Sequence, residues 1–331
     1  MTRVVRFHEA GGPEVLKIED LEVGAPGEGE MRVRIEAIGL NRAEAMFRSG
    51  MYLHPPILPS TNGYEASAIV DAIGPGVSGF SVGEAISVIP ALHLNKYGVY
   101  ADVAIVPAHA CVKRPPGLTA VEAAAVWMAY ITTWGALVDI ANVQKGDAVI
   151  ITAASSSVGI AAIQMVNYLG GISIAATRTR AKADELKRQG AQHVIVTNEE
   201  DLVEKVMAIT NGKGARVVYD PAGGPMLEKL AEAAAPKGII IEYGALSPEP
   251  TPYPLFAALG KGLTIRGYTL FEFVADRKKI EKGADFIYRG FEAKAFKPIV
   301  SKVFELADIV EAHRYLEGNT QLGKVVVTAK G

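Results

Sequence analysis

One cysteine, Cys111, occurs in 331 residues, so no disulfide can form within the chain and any zinc site would have to be built almost wholly from histidines and carboxylates. The histidines do not supply one. His8, His54, His93, His109, His193 and His313 show no HExxH or comparable spacing and read as surface or core residues, so no metal is expected. No run approaches the roughly 18 uninterrupted apolar residues of a membrane span, and the opening MTRVVRFHEAGG lacks the apolar centre of a signal peptide. A cytoplasmic protein with no membrane partner is the expectation. Nor is there an excess of either charge: a formal net charge of −2 gives no overall attraction to nucleic acid. Small molecules are the expected partners.

What is present suits a compact protein, with 49% hydrophobic and 21% charged residues. The length exceeds the roughly 250 to 300 residues at which single cores stop growing, so two domains are expected. Residues 1 to about 115 carry short β-rich runs (VVRF, MRVRIEAIG, ASAIVDAIG, EAISVIP, VYADVAIVP) between glycine and proline turns, which reads as a small barrel. Pro115-Pro116-Gly117 marks a boundary. From about 119 to 268, apolar runs (AVIIT, ISIAAT, HVIVT, RVVYD, GIIIEYG) alternate with helical patterns, the rhythm of a parallel sheet. Thr119 and Asn198 are candidate helix caps. The tail after 268 is read as completing the first domain, which places the domains at 1–118 with 269–331, and at 119–268.

Residues 152–159, TAASSSVG, lie between the apolar runs AVII and IAAIQMV. A strand, a tight turn of small residues and a helix start aim backbone N–H groups and a positive helix end at one point, a seat for pyrophosphate. Ser155, Ser156, Ser157 and Val158 are the candidate contacts. A dinucleotide fingerprint has glycine at its first two key positions, where Ala153 and Ser156 stand here; Gly159 alone is kept. The serines also suggest a nucleophile, but a hydrolase elbow needs flanking glycines that are missing. The next strand, ISIAAT, ends in Thr177 rather than in the acid that selects NAD, and Arg178, Thr179, Arg180 and Lys182 follow. Guanidinium and ammonium groups suit a 2′-phosphate, so NADPH is the expected cofactor. A solvated helix start, with Asp184 and Glu185 next in line, is the plainer reading of the same charges.

The segments LNRAEAMFRSGMY, LPSTNGYEASAIVDAIGPGV, TAASSSVG, GARVVYDPAGG and GKVVV together resemble the zinc-independent quinone oxidoreductases of the medium-chain dehydrogenase/reductase superfamily, over nearly the whole chain. The resemblance implies an α/β protein with a GroES-like β-barrel catalytic domain and a Rossmann doubly wound parallel-sheet domain. It also implies a cleft between them in which NADPH reduces a quinone or an α,β-unsaturated carbonyl. Zinc-bearing relatives place a cysteine where Asn41 falls and a histidine where Tyr64 falls; Glu65 alone survives. By position, Asn41, Tyr52 and Tyr64 are the implied catalytic residues. Asn41 serves equally as the cap of RAEAMFRSG, with Glu44 three residues on, and either tyrosine serves equally as a packed aromatic. Implied cofactor contacts are Thr132, Thr133, Lys182, Tyr243, Gly244, Ala245, Ser247 and Lys324, the last also readable as a surface residue. Thr197 departs from the tyrosine that relatives often carry. The family pairs through Rossmann edge strands, which makes LTIRGYTLF a candidate homodimer edge. An enoyl-thioester reductase and a non-catalytic NADPH-binding protein remain the competing readings.

Overall fold

The structure, a computed structural model, describes residues 1–330. Strict alternation shapes its first part. Along Glu30–Gly39, Met31, Val33 and Ile35 are fully buried while Arg32 and Arg34 lie on the other face, as in a half-buried strand. An antiparallel pair, β1 (Thr2–Arg6) and β2 (Lys17–Leu21), comes first. There follow β3 (Glu30–Gly39), β4 (Glu65–Ile73), β5 (Ala85–Val88), β6 (Val103–Pro107) and β7 (Cys111–Lys113).

The pattern then becomes parallel. β8 (Ala148–Ile151), β9 (Ile172–Thr177), β10 (His193–Val196), β11 (Ala215–Asp220), β12 (Ala234–Glu242) and β13 (Thr264–Gly267) form one sheet in the order β10-β9-β8-β11-β12-β13. That is the order of a doubly wound dinucleotide-binding sheet, reversing between β8 and β11. β8 is apolar throughout because both its faces are covered. Val149, Ile151, Ile163 and Leu186 pack on one side, and Ile150, Ile174, Val206 and Leu230 on the other. Finally β14 (Val300–Glu305) and β15 (Lys324–Thr328) return to the first sheet, whose order is β14-β15-β3-β4-β5-β7 with β6 on β3.

Two compact units result: Met1–Met128 with the chain from Pro298 onward, and Ala129–Lys297. These limits differ from 118/119 and 268/269. Ala124 and Ala125 pack with Ala37 and Val326 of the first unit. The charged helix Arg277–Glu292, expected in the first unit, belongs to the second, because its buried stripe of Ile280, Gly283, Ala284 and Ile287 must find an apolar partner. A Cβ on Gly283 would lie 3.2 Å from Phe273, 3.3 Å from Ile131 and 3.4 Å from Trp134.

Thr119 caps its helix, accepting from the Glu122 N–H at 3.3 Å. The cap expected at Asn198 falls instead on Asp201, which accepts from the Glu204 N–H at 2.8 Å. Among the described residues one helical run, Ala120–Ile140, is long and apolar enough to cross a membrane, and it is 78% buried.

Gly283→Leu should overpack the contact with Phe273, Ile131 and Trp134 and destabilise the fold by about 1–3 kcal/mol. Thermal unfolding checks it; an unchanged midpoint would contradict this placement of the helix.

Candidate active site

At the carboxyl edge of the parallel sheet, β8 runs into the turn Thr152–Ser156 and the helix Ser157–Tyr168. Gly159 allows that helix to sit against the turn: a Cβ there would stand 2.6 Å from the Ala154 carbonyl oxygen. Ala153 adopts φ +44°, the left-handed region where the fingerprint's first glycine would be unstrained. Ser156 is the N-cap, its Oγ accepting from the Gly159 N–H at 3.0 Å, so its side chain serves the helix first. The N–H groups of Ser157 and Val158, at the helix start, have no acceptor within the helix.

β9 ends beside this turn. Lys182 Nζ donates to Ser155 Oγ at 3.1 Å, and burial, then the neighbouring Arg178, holds its ammonium below the ordinary value. Crowded cations of this kind favour an anion between them. Arg180 is turned away onto Glu199. Thr177 is buried at the strand end and Thr179 is exposed; the Thr197 N–H donates to the Thr177 carbonyl at 2.8 Å.

Beyond β12, Gly244 and Ala245 are exposed, and Gly244 is required because a Cβ would lie 2.7 Å from the Pro221 carbonyl oxygen. The Tyr243 ring stacks on Tyr219 at 4.0 Å. Ser247 is tied into its loop, its N–H donating to Ala222 at 2.9 Å and its Oγ accepting from the Glu249 N–H at 3.2 Å. Thr133 is buried, and its hydroxyl donates to the Ala129 carbonyl at 2.8 Å; Thr132 beside it is also buried. The Thr133 hydroxyl also reaches the Val158 carbonyl, in the first turn of the helix Ser157–Tyr168, at 3.5 Å.

Sequence reading passed over Asp220 and Glu242, in register at the ends of β11 and β12. Fully buried Asp220 accepts from the Thr152 hydroxyl and from the N–H groups of Ala222 at 3.1 Å and Gly223 at 2.8 Å. Burial, then the charge of Asp220, pushes Glu242 up to about 8. The signal available was YDPAGG, an acid at a strand end before a turn.

In the first unit, Asn41 starts the helix Arg42–Arg48, with Glu44 reaching back to its N–H at 2.7 Å. Its amide is committed. Nδ2 donates to Gly39 at 3.0 Å and to Glu65 at 3.1 Å, and Oδ1 accepts from Lys324 Nζ at 2.5 Å. These bonds tie Asn41 to Gly39, Glu65 and Lys324, and the catalytic role expected of its amide would require breaking them. Lys324, expected at the cofactor, is 1% exposed and ion-paired with Glu65. Glu65 also accepts from the Met128 N–H at 2.8 Å.

Glu44 accepts from the Tyr64 N–H at 2.8 Å and from the Tyr100 hydroxyl at 2.7 Å; burial pushes it up to about 6. Gly63, at φ +104°, leaves room for the Tyr100 ring 2.5 Å from where a Cβ would stand. The hydroxyls of Tyr52 and Tyr64 share a hydrogen bond, and burial raises both above the usual tyrosine value.

Residues 27–116 match the alcohol dehydrogenase GroES-like domain, and residues 157–289 the zinc-binding dehydrogenase family. A 2-haloacrylate reductase of Burkholderia sp is 31% identical over 99% of this chain and 99% of its own. A quinone oxidoreductase of Pseudomonas aeruginosa is 30% identical, again over 99% of each. The chain belongs to the quinone oxidoreductase family. A solved relative, the Escherichia coli quinone oxidoreductase complexed with NADPH, superposes with a TM-score of 0.89 at 28% identity, covering 98% of this chain and 99% of that one.

Within that family the chain is of the zinc-independent type. The zinc implied by the second family's description does not fit its residues, because Asn41 and Tyr64 stand at the ligand positions and the ammonium of Lys324 sits on Glu65, where it would repel a cation.

Two outcomes test this geometry. Lys324→Met leaves the Glu65 carboxylate buried without its cation and should cost about 3–5 kcal/mol of stability, measured by denaturant unfolding; a loss below about 1 kcal/mol would contradict the assigned pairing. For Glu242 the folded value lies above the unfolded one, so its contribution is complete below about pH 4.5 and is lost as pH rises through about 8. Glu242→Gln should remove that slope. Its unfolding temperature should gain on the parent's between about pH 5 and pH 9.

Proposed function

We propose that this protein is an NADPH-dependent reductase of quinones or α,β-unsaturated carbonyl compounds that works without a metal. The observation that carries the reading is the meeting of Lys182 with Ser155, beside Arg178, at the carboxyl edge where a doubly wound sheet binds its nucleotide. Bound NADPH would supply the hydride. The Ser157 and Val158 N–H groups and the positive helix end hold the pyrophosphate, Arg178 and Lys182 take the 2′-phosphate, and Tyr243, Gly244 and Ala245 form the adjoining wall.

On the first unit, Tyr52 is the donor to the acceptor's carbonyl oxygen. Hydride arrival puts negative charge on that oxygen, and a neutral hydroxyl already held in place stabilises it and then gives up its proton. Tyr64 donates in turn to Tyr52. Their raised values keep both hydroxyls neutral before reaction, as a donor requires. Asn41 and Lys324 act as positioning residues, through Glu44 and Glu65.

We further propose a cytoplasmic homodimer. β13 is the outer strand of its sheet, and Tyr253, Leu255, Phe256 and Leu259 are exposed on and just before the neighbouring helix Leu255–Lys261. Such a patch beside an open edge supports pairing with a second copy.

Purified protein should oxidise NADPH with a quinone in the presence of chelator; a requirement for added zinc would sink the reading. Arg178→Ala with Lys182→Ala should raise the KM for NADPH on the order of tenfold to a hundredfold while leaving that for NADH nearly unchanged. Tyr52→Phe should lower kcat on the order of a hundredfold. Faster turnover of enoyl thioesters than of quinones would favour the enoyl-reductase reading. NADPH binding without turnover of any acceptor would favour a non-catalytic one. Phe256→Glu should convert a dimer to monomer in light scattering, and a parent that is already monomeric at micromolar concentration refutes the pairing.

A further inference from the structure

Around Tyr52 the first unit exposes an unusual rim. Met51 (71% exposed), Leu53, Ile57 (69%) and Leu58 present large apolar side chains to solvent within eight residues. The loop holding them is fastened: the Ile57 N–H donates to Asn95 Oδ1 at 2.8 Å, Asn95 Nδ2 donates to the Pro55 carbonyl at 3.0 Å, and His54 stacks on His93 at 5.6 Å. Apolar groups held in place this way bind with little added ordering cost. From Ile57 the surface continues into a groove of about 270 Å³ in which Val4, Leu21, Pro59 and Leu94 are joined by Ser60, Thr61 and Asn95. Its two cations, Arg6 and Lys96, are already paired with Glu19 at 3.1 Å and Glu30 at 3.5 Å.

The rim offers nothing to a carboxylate. Between Arg48 and Lys96 the chain contains no lysine or arginine, and Arg48 is buried against Gly11, His313 and Glu317. An acceptor that reacts beside Tyr52 therefore meets the exposed apolar side chains of Met51, Leu53, Ile57 and Leu58.

We propose that this rim is a tail subsite: the acceptors of this protein carry an apolar side chain, which lies from Met51 and Leu53 toward Ile57 and the groove. The inference rests on the reductase reading above and adds the class of substrate. It predicts selectivity for alkyl- or isoprenyl-substituted quinones and enones over small or anionic ones.

The test is a series of para-benzoquinones bearing one alkyl chain, from methyl to hexyl, reduced with NADPH. Each methylene placed on the rim should raise kcat/KM about threefold to fourfold, chiefly through KM. Leu53→Ser with Ile57→Ser should flatten that dependence, and Leu53→Met with Ile57→Leu should preserve it. A flat dependence in the parent protein, with the methyl quinone turned over, overturns the tail subsite and leaves the reductase reading standing. If NADPH binds and no quinone is reduced, the reductase reading falls and the subsite with it. A flat dependence joined to sedimentation with phosphatidylcholine vesicles, lost in the serine variant, overturns the subsite in favour of a lipid surface.

Discussion

The buried ammonium of Lys324 is the tie on which the first unit's functional face depends. It reaches from the last strand to Asn41 and Glu65, joining β15, the start of the Arg42–Arg48 helix and β4. Asn41 passes the constraint to Glu44, and Glu44 holds the backbone of Tyr64 and the hydroxyl of Tyr100. Beyond Tyr100 lies His313, whose Nδ1 accepts from Arg48 at 2.7 Å, so its Nε2–H faces the Tyr100 oxygen at 3.0 Å. Buried polar groups are tolerated because each has a partner. The same completeness means that the Asn41 amide is already used by Gly39, Glu65 and Lys324.

The second unit handles charge in the opposite way. Beside the turn at 152–156, Lys182 lies next to Arg178, and its ammonium is lowered by burial and by that neighbour. Repulsion of this kind is relieved when an anion enters. The acids at the neighbouring strand ends are held differently: Asp220 accepts from three donors, and burial beside Asp220 pushes Glu242 up to about 8.

Parts of this arrangement were legible beforehand. The turn at 152–159 and the missing acid after ISIAAT are local features, whereas the meeting of Lys182 with Ser155 beside Arg178 appears only in the structure. Asn41 was readable both as cap and as site because asparagine suits either; its amide partners decide for a structural tie. Lys324 looked like a cofactor contact or a surface residue, and its burial against a residue 283 positions away left no trace in its own neighbourhood. The helix Arg277–Glu292 was assigned by its place after residue 268, but the small and apolar residues of its buried stripe determine where it packs.

Sequence alone determined the parallel sheet, the strand, turn and helix around 152–159 and the missing acid after ISIAAT, because periodicity, turn chemistry and residue type act over a few neighbouring positions. Only the tertiary structure decided which polar groups are already used. Asn41 with Lys324, Lys182 with Ser155, Asp220 with Glu242 and Arg48 with His313 are pairings between distant segments, and a side chain's availability for chemistry depends on such partners.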